Sequence, residues 1–173
     1  ISASRKIMKK HKMNLSSLMI NREWTLFLDR DGVINERIVG GYVTCWEEFK
    51  ILPGVEEALK IFSALFGKII IVSNQQGIGK GLMTEEQLDD IHTNFLERIS
   101  LAGGRIDAMF YATNLADENS PMRKPGPGMA LKAKDRFPGI QFEKSIMAGD
   151  SLSDMQFGKN LGMYTVFIGS CGN

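Results

Sequence analysis

Apolar and polar positions in this chain follow two rhythms. Short, nearly continuous apolar runs recur at "WTLFL" (24–28), "KIIIVS" (68–73), "AMFYA" (108–112), "SIMAG" (145–149) and "YTVFI" (164–168). All are shorter than a typical helix, and several are rich in β-branched and aromatic residues. Each predicts a strand covered on both faces.

Between them lie stretches with a helical period. "PGVEEALKIFSALF" (53–66) sets Val55, Leu59, Phe62 and Phe66 on one face behind a first-turn proline. "TEEQLDDIHTNFLERIS" (84–100) aligns Leu88, Ile91, Phe95 and Ile99, and Thr84 with Gln87 reads as a capping box. "PGMALKAKDRF" (127–137) and "SDMQFGKNLG" (153–162) predict two shorter helices.

Strands alternating with helices predict a doubly wound parallel sheet, a three-layer α/β/α domain of Rossmann-like type. Two connections, 33–52 and 112–126, are longer than simple turns. Long loops in compact α/β domains are usually functional, and ligands sit beyond the carboxyl ends of the strands.

Charge divides the chain. Residues 1–22 carry six Lys/Arg and no acid, which leaves 15 Lys/Arg against 20 Asp/Glu in the rest of the 173 residues. We expect a basic extension over 1–22 and one domain over 23–173. The arm has the composition of a solvated extension, and the acidic body argues against a phosphate-backbone partner. Cys45 and Cys171 have neither metal-site nor disulfide-framework spacing, which fits a cytoplasmic setting. No apolar run is long enough to cross a membrane.

The predicted strand ends hold the chemistry. The first ends in Asp29 and Asp31, the second in Ser73, Asn74 and Gln75, and the fourth in Asp150, with Asp154 a helical turn on. In a parallel sheet these ends share one edge. Converging carboxylates repel one another unless a cation offsets them, and oxygen-only ligation suits Mg²⁺. Arg123 and Lys124, in the 112–126 loop, suit a phosphate group. Acid oxygens, Mg²⁺, a hydroxyl and a cation pair together equip a site for phosphoryl transfer.

Four segments, "DRDGVIN" (29–35), "SNQQGIGKG" (73–81), "RKPGPGM" (123–129) and "AGDSLSDMQFG" (148–158), follow one another in the order of the four motifs of the haloacid dehalogenase superfamily, which the chain resembles from about 24 to 167. The resemblance is to its heptose bisphosphate and histidinol phosphate phosphatase group, small members without an inserted cap domain. It implies that Asp29 is the nucleophile that forms an aspartyl-phosphate. It implies that Asp31 is the acid and base, and that Ser73 and Lys124 stabilise the transferring phosphoryl group. Asp29, the Asp31 backbone carbonyl and Asp150 would hold Mg²⁺. Gly41, Tyr42, Asn74, Gln75, Gln76 and Arg123 would contact substrate.

The implied substrate is a small phosphorylated sugar, with removal of the C7 phosphate of D-glycero-D-manno-heptose 1,7-bisphosphate. Many members carry a zinc loop before the Arg-Lys-Pro motif, but "YATNLADENSPMRKP" (111–125) has no Cys and no His. No zinc is therefore expected. The resemblance leaves the assembly open, as a monomer or a small homo-oligomer.

Other readings remain at this stage. Histidinol phosphate is an alternative substrate. A nucleic-acid 3′-phosphatase would share the "GIGKG" segment and could use the basic arm. A phospho-accepting receiver domain would also use a strand-end Asp, but would lack Asp31. "GIGKG" (77–81) is not a nucleotide-binding loop, because Lys80 is followed by Gly and the required glycine position is Asn74. Asp154 reads equally as part of the metal shell or as a helix cap. Arg30 and His92 read as structural.

Overall fold

Five parallel strands form one sheet in the order β3-β2-β1-β4-β5. They are β1 (Thr25–Leu28), β2 (Lys68–Asn74), β3 (Ala108–Ala112), β4 (Ser145–Gly149) and β5 (Tyr164–Phe167). The helices are α1 (Val55–Leu65), α2 (Gln76–Gly79), α3 (Glu85–Leu101), α4 (Gly128–Arg136) and α5 (Leu152–Asn160). This computed structural model describes residues 17–169. Most of the basic arm, with His11, and Cys171 lie outside the described residues.

Strand periodicity divides the core in two. Leu26 and Leu28 of β1 pack with Ile69 and Ile71 of β2 against Leu59 of α1 and the Leu88, Ile91, Phe95 and Ile99 stripe of α3. The alternate residues Phe27, Ile70, Val72 and Met147 face Met129, Ala130 and Ala133 of α4 and Phe157 of α5. Both faces are covered, so the three predicted layers are present and the strands read as continuous apolar runs. The Thr84–Gln87 capping box is formed and starts α3 at Glu85, and the helix runs to Leu101, one residue beyond the sequence pattern. The short helix α2 was not predicted, since its Gln-Gly-Ile-Gly sequence carries two poor helix formers.

Register sets the functional edge. Leu28 pairs with Ile71 of β2 and with Ala148 of β4. Asp29, Ser73 and Asp150 therefore leave the sheet at neighbouring levels of one edge. The chain winds outward from β1 through β2 to β3, then returns to β4 on the other side of β1. The reversal opens a crevice between β1 and β4, where open α/β sheets bind ligands. Among the described residues, no helix is long and apolar enough to cross a membrane.

Candidate active site

The backbone turns sharply after β1. The Arg30 carbonyl accepts from the amides of Val33, Ile34 and Asn35, and the Gly32 amide donates to the Asn35 carbonyl at 2.7 Å. Gly32 sits at φ +88°, and a Cβ there would lie 1.9 Å from Asp150 Oδ2. Glycine is required on both counts, because the turn brings the β1 end against the β4 end.

Asp29 is buried at the floor of the crevice. Its Oδ1 lies 2.8 Å from Lys124 Nζ, which also contacts Asp154 Oδ1 at 2.6 Å and donates to the Val72 carbonyl at 2.8 Å. Lys124 is only 3% exposed, so its ammonium is held by three oxygens and little water. Burial pushes the Asp29 carboxyl up to about 6, with Lys124 pulling it down and Asp154 pushing it up.

Asp31 has the opposite environment. Arg30 Nε and Asn35 Nδ2 donate to it at 3.2 and 2.9 Å, and Gln75 Nε2 donates at 2.9 Å. Arg30 Nη2 lies 3.0 Å from each of its oxygens. Burial would raise its pKa, but Arg30 and the Asn35 and Gln75 amides outweigh burial and hold it below the usual carboxylate range. Arg30 itself is 1% exposed. Beyond its ion pair it lies over the Phe49 ring at 5.6 Å and meets His92 Nε2 at 3.5 Å. Arg30 is thus packed, as expected, and is also a clamp on Asp31.

Asp29, Asp150 and Asp154 each bring a carboxylate oxygen within 4.8 Å of the others, a group able to hold a metal ion. Arg37 Nη2 donates to Asp150 Oδ1 at 2.7 Å and to the Asp31 carbonyl at 3.2 Å, so those two oxygens converge as well. Four carboxylates face three cations (Arg30, Arg37 and Lys124), and the donors that converge are all oxygen. Hard oxygen donors with residual negative charge fit Mg²⁺. Asp154 also completes a capping box at the start of α5, accepting from the Ser151 amide at 3.0 Å. The helix-cap reading of Asp154 therefore applies to Oδ2, while Oδ1 faces Lys124 beside the converging carboxylates.

A cavity of about 520 Å³ opens above this floor and is lined by every residue expected to act on substrate. Gly41 and Tyr42 form one wall. Gln76 Nε2 donates to the Tyr42 hydroxyl at 2.9 Å, and Lys80 Nζ lies 5.5 Å from the ring centroid. Gly77 lets that ring approach, since a Cβ there would lie 3.0 Å from it. The "GIGKG" segment is therefore a close-packed wall of the site. Arg123 lines the cavity and donates to the Asn114 carbonyl at 3.2 Å. Asn74 is less free than expected. Its amide holds the Lys124 backbone through bonds of 2.9 and 3.2 Å.

Sequence reasoning missed Asn35 and Arg37. Asn35 closes the β1 turn from a fully buried position, and its signal is an amide at the end of the apolar pair Val33-Ile34. Arg37 carries no such signal, because an arginine in a long polar loop is ordinarily solvated.

A family model for haloacid dehalogenase-like hydrolases matches residues 3–162. The chain belongs to that family. It is 40% identical over 139 residues to a D-glycero-alpha-D-manno-heptose-1,7-bisphosphate 7-phosphatase of Mycobacterium tuberculosis, covering 80% of this chain and 73% of the relative. It is 37% identical over 144 residues to a D-glycero-beta-D-manno-heptose-1,7-bisphosphate 7-phosphatase of Helicobacter pylori, covering 82% and 80%. Among solved structures, D,D-heptose 1,7-bisphosphate phosphatase from B. bronchiseptica, complexed with magnesium and phosphate, superposes with a TM-score of 0.76. That match has 29% identity and covers 82% of this chain and 78% of the other. The family membership makes this chain a hydrolase, and the fold expected from its sequence is the fold it has.

Proposed function

We propose that this chain is a Mg²⁺-dependent phosphatase that removes the C7 phosphate of D-glycero-D-manno-heptose 1,7-bisphosphate through an aspartyl-phosphate. The observation that carries the reading is the pair at the β1 end: a buried Asp29 against Lys124, and, two residues on, an Asp31 held by separate donors. Lys124 beside Asp29 would offset the charge of a transferring phosphoryl group, and the donors around Asp31 favour its ionised form, the form that takes the water proton in the second step.

In the first step an Asp29 oxygen attacks phosphorus and the bond to the sugar oxygen breaks, with Asp31 supplying the proton to that oxygen. In the second step water attacks the same phosphorus, Asp31 takes the proton, and the Asp29 carboxylate is released with phosphate. Dividing hydrolysis in this way is ordinary covalent catalysis, and a positioned acid or base contributes about 10²–10⁴-fold. Ser73 and Lys124 offset charge on the transferring group. Asp29, Asp150 and the Asp31 carbonyl would hold Mg²⁺, which supplies charge neutralisation at the phosphoryl oxygens when bound. Tyr42, Gln76 and Arg123 receive the rest of the substrate in the cavity.

Relatives named for heptose bisphosphates on both anomers support the substrate class. A small cytoplasmic enzyme, as a monomer or small homo-oligomer, fits this role. The test is phosphate release with Mg²⁺ from both anomers of heptose 1,7-bisphosphate, from histidinol phosphate and from a 3′-phosphorylated oligonucleotide. The proposal expects one heptose anomer to lead in kcat/KM by orders of magnitude, with loss of the C7 phosphate only. Preference for either other substrate overturns the assignment.

A further inference from the structure

Gln75 lies between two residues of the proposed mechanism and is 1% exposed. Its Nε2 donates to Asp31 Oδ2 at 2.9 Å and to Ser73 Oγ at 2.7 Å. The orientation of this amide is fixed by chemistry, because a carboxylate can only accept and the nitrogen must therefore face Asp31. Both hydrogens of the nitrogen are then used. Ser73 Oγ accepts one of them, so its own hydroxyl hydrogen is directed to another acceptor. Ser73 lines the cavity beside Asp29, where a transferring phosphoryl oxygen would be that acceptor.

We propose that Gln75 is a positioning residue that fixes the Ser73 hydroxyl as a donor towards the phosphoryl group and holds Asp31 as an acceptor for the proton of the attacking water. It acts through those two residues and not as a substrate contact. The inference rests on the roles proposed above for Ser73 and Asp31. No other single side chain among the described hydrogen bonds joins these two groups. The partners that Asp31 would keep without Gln75, namely Arg30 and Asn35, approach from its own turn and have no bond to Ser73.

The experiment compares wild type with Gln75→Met, which keeps the length but removes both donors, and with Gln75→Glu, which keeps the shape and can offer at most one donor, so that it cannot serve Ser73 and Asp31 together. Each is assayed with heptose 1,7-bisphosphate and Mg²⁺ for kcat and KM separately, and melted to check the fold. A positioning role predicts that kcat falls about 10–100-fold in both variants, less than the roughly 10²–10⁴-fold that the acid–base group itself contributes, while KM stays within about threefold. A substrate contact predicts a raised KM with kcat retained, and that result overturns the inference. So do two well-folded variants with wild-type constants. If one variant fails to fold, the other decides. An inactive wild type counts against the phosphatase reading itself, whereas an active wild type with unaltered variants counts against Gln75 alone.

Discussion

Replacing Lys124 with Met tests how the site floor holds its charge. The ammonium contacts Asp29 Oδ1 at 2.8 Å and Asp154 Oδ1 at 2.6 Å, and bonds the Val72 carbonyl at 2.8 Å. Methionine fills a similar volume and leaves two buried carboxylates and a carbonyl without their cation. Removing one partner of a buried ion pair typically costs about 3–5 kcal/mol. For a domain of this size each kcal/mol lowers Tm by about 2–4 °C, so a drop of about 6–20 °C is expected in metal-free buffer. The loss comes largely from repulsion and desolvation of the carboxylates. Lys124→Met/Asp29→Asn should therefore recover at least about 1 kcal/mol, as expected for residues in contact. Added Mg²⁺ should raise the Tm of Lys124→Met by more than that of wild type, since it replaces the missing positive charge. Turnover should fall about 10²–10³-fold or more, the scale of losing one preorganised charge at a reacting group. Differential scanning fluorimetry with and without Mg²⁺ reads the stability terms. A Lys124→Met protein that melts with wild type in metal-free buffer would refute the reasoning.

Other outcomes follow from single contacts. Gly32→Ala places a Cβ 1.9 Å from Asp150 Oδ2 at a positive φ, so calorimetric Mg²⁺ binding and turnover should both be lost or weakened at least tenfold; wild-type binding would contradict the geometry. Arg37 competes for the Asp150 carboxylate and the Asp31 carbonyl, and its pair with Asp150 is half exposed. Arg37→Met should tighten Mg²⁺ binding about two- to fivefold, the scale of an exposed ion pair, as measured by titration calorimetry. Burial and then the Arg30 charge lower His92 from 6.5 to about 4, with Asp31 opposing. Its depressed folded pKa means that stability is present above about 6.5 and is lost as pH falls towards 4, by about 3 kcal/mol. Denaturant unfolding of His92→Phe against wild type at pH 7 and pH 4.5 should show a weaker pH dependence in the variant.

Much of this architecture was legible because period-2 and period-3.6 patterns were uninterrupted. The β1 residues Leu26, Phe27 and Leu28 alternate between two core clusters, and the strand pattern required that alternation. The α3 stripe and its Thr84 cap were equally direct. The parallel strands then implied that Asp29, Ser73 and Asp150 meet, without any knowledge of side-chain geometry. Strand order was not legible, since local patterns do not say that β4 returns beside β1. The division of labour among amides was also hidden. Asn74, Gln75 and Gln76 are neighbours in sequence, yet one ties the Lys124 loop, one bridges Ser73 and Asp31, and one reaches Tyr42. Their directions depend on the turn into α2, which two glycines obscured. Arg37 was missed because its charged partner, Asp150, lies at a distant chain position and its own loop is polar.

The central claim is that Asp29 carries the phosphoryl group and Asp31 completes its hydrolysis. The most direct measurement is intact-protein mass spectrometry after acid quench of Asp31→Asn and Asp29→Asn proteins incubated with heptose 1,7-bisphosphate and Mg²⁺, followed by peptide mapping. The account predicts a phosphoryl group that forms slowly, because the acid of the first step is gone, and then persists on Asp29 of the Asp31→Asn protein, none on the Asp29→Asn protein, and rapid phosphate release by wild type. Phosphate release by Asp29→Asn at the wild-type rate, or a phosphoryl group mapped to any other residue, would contradict it.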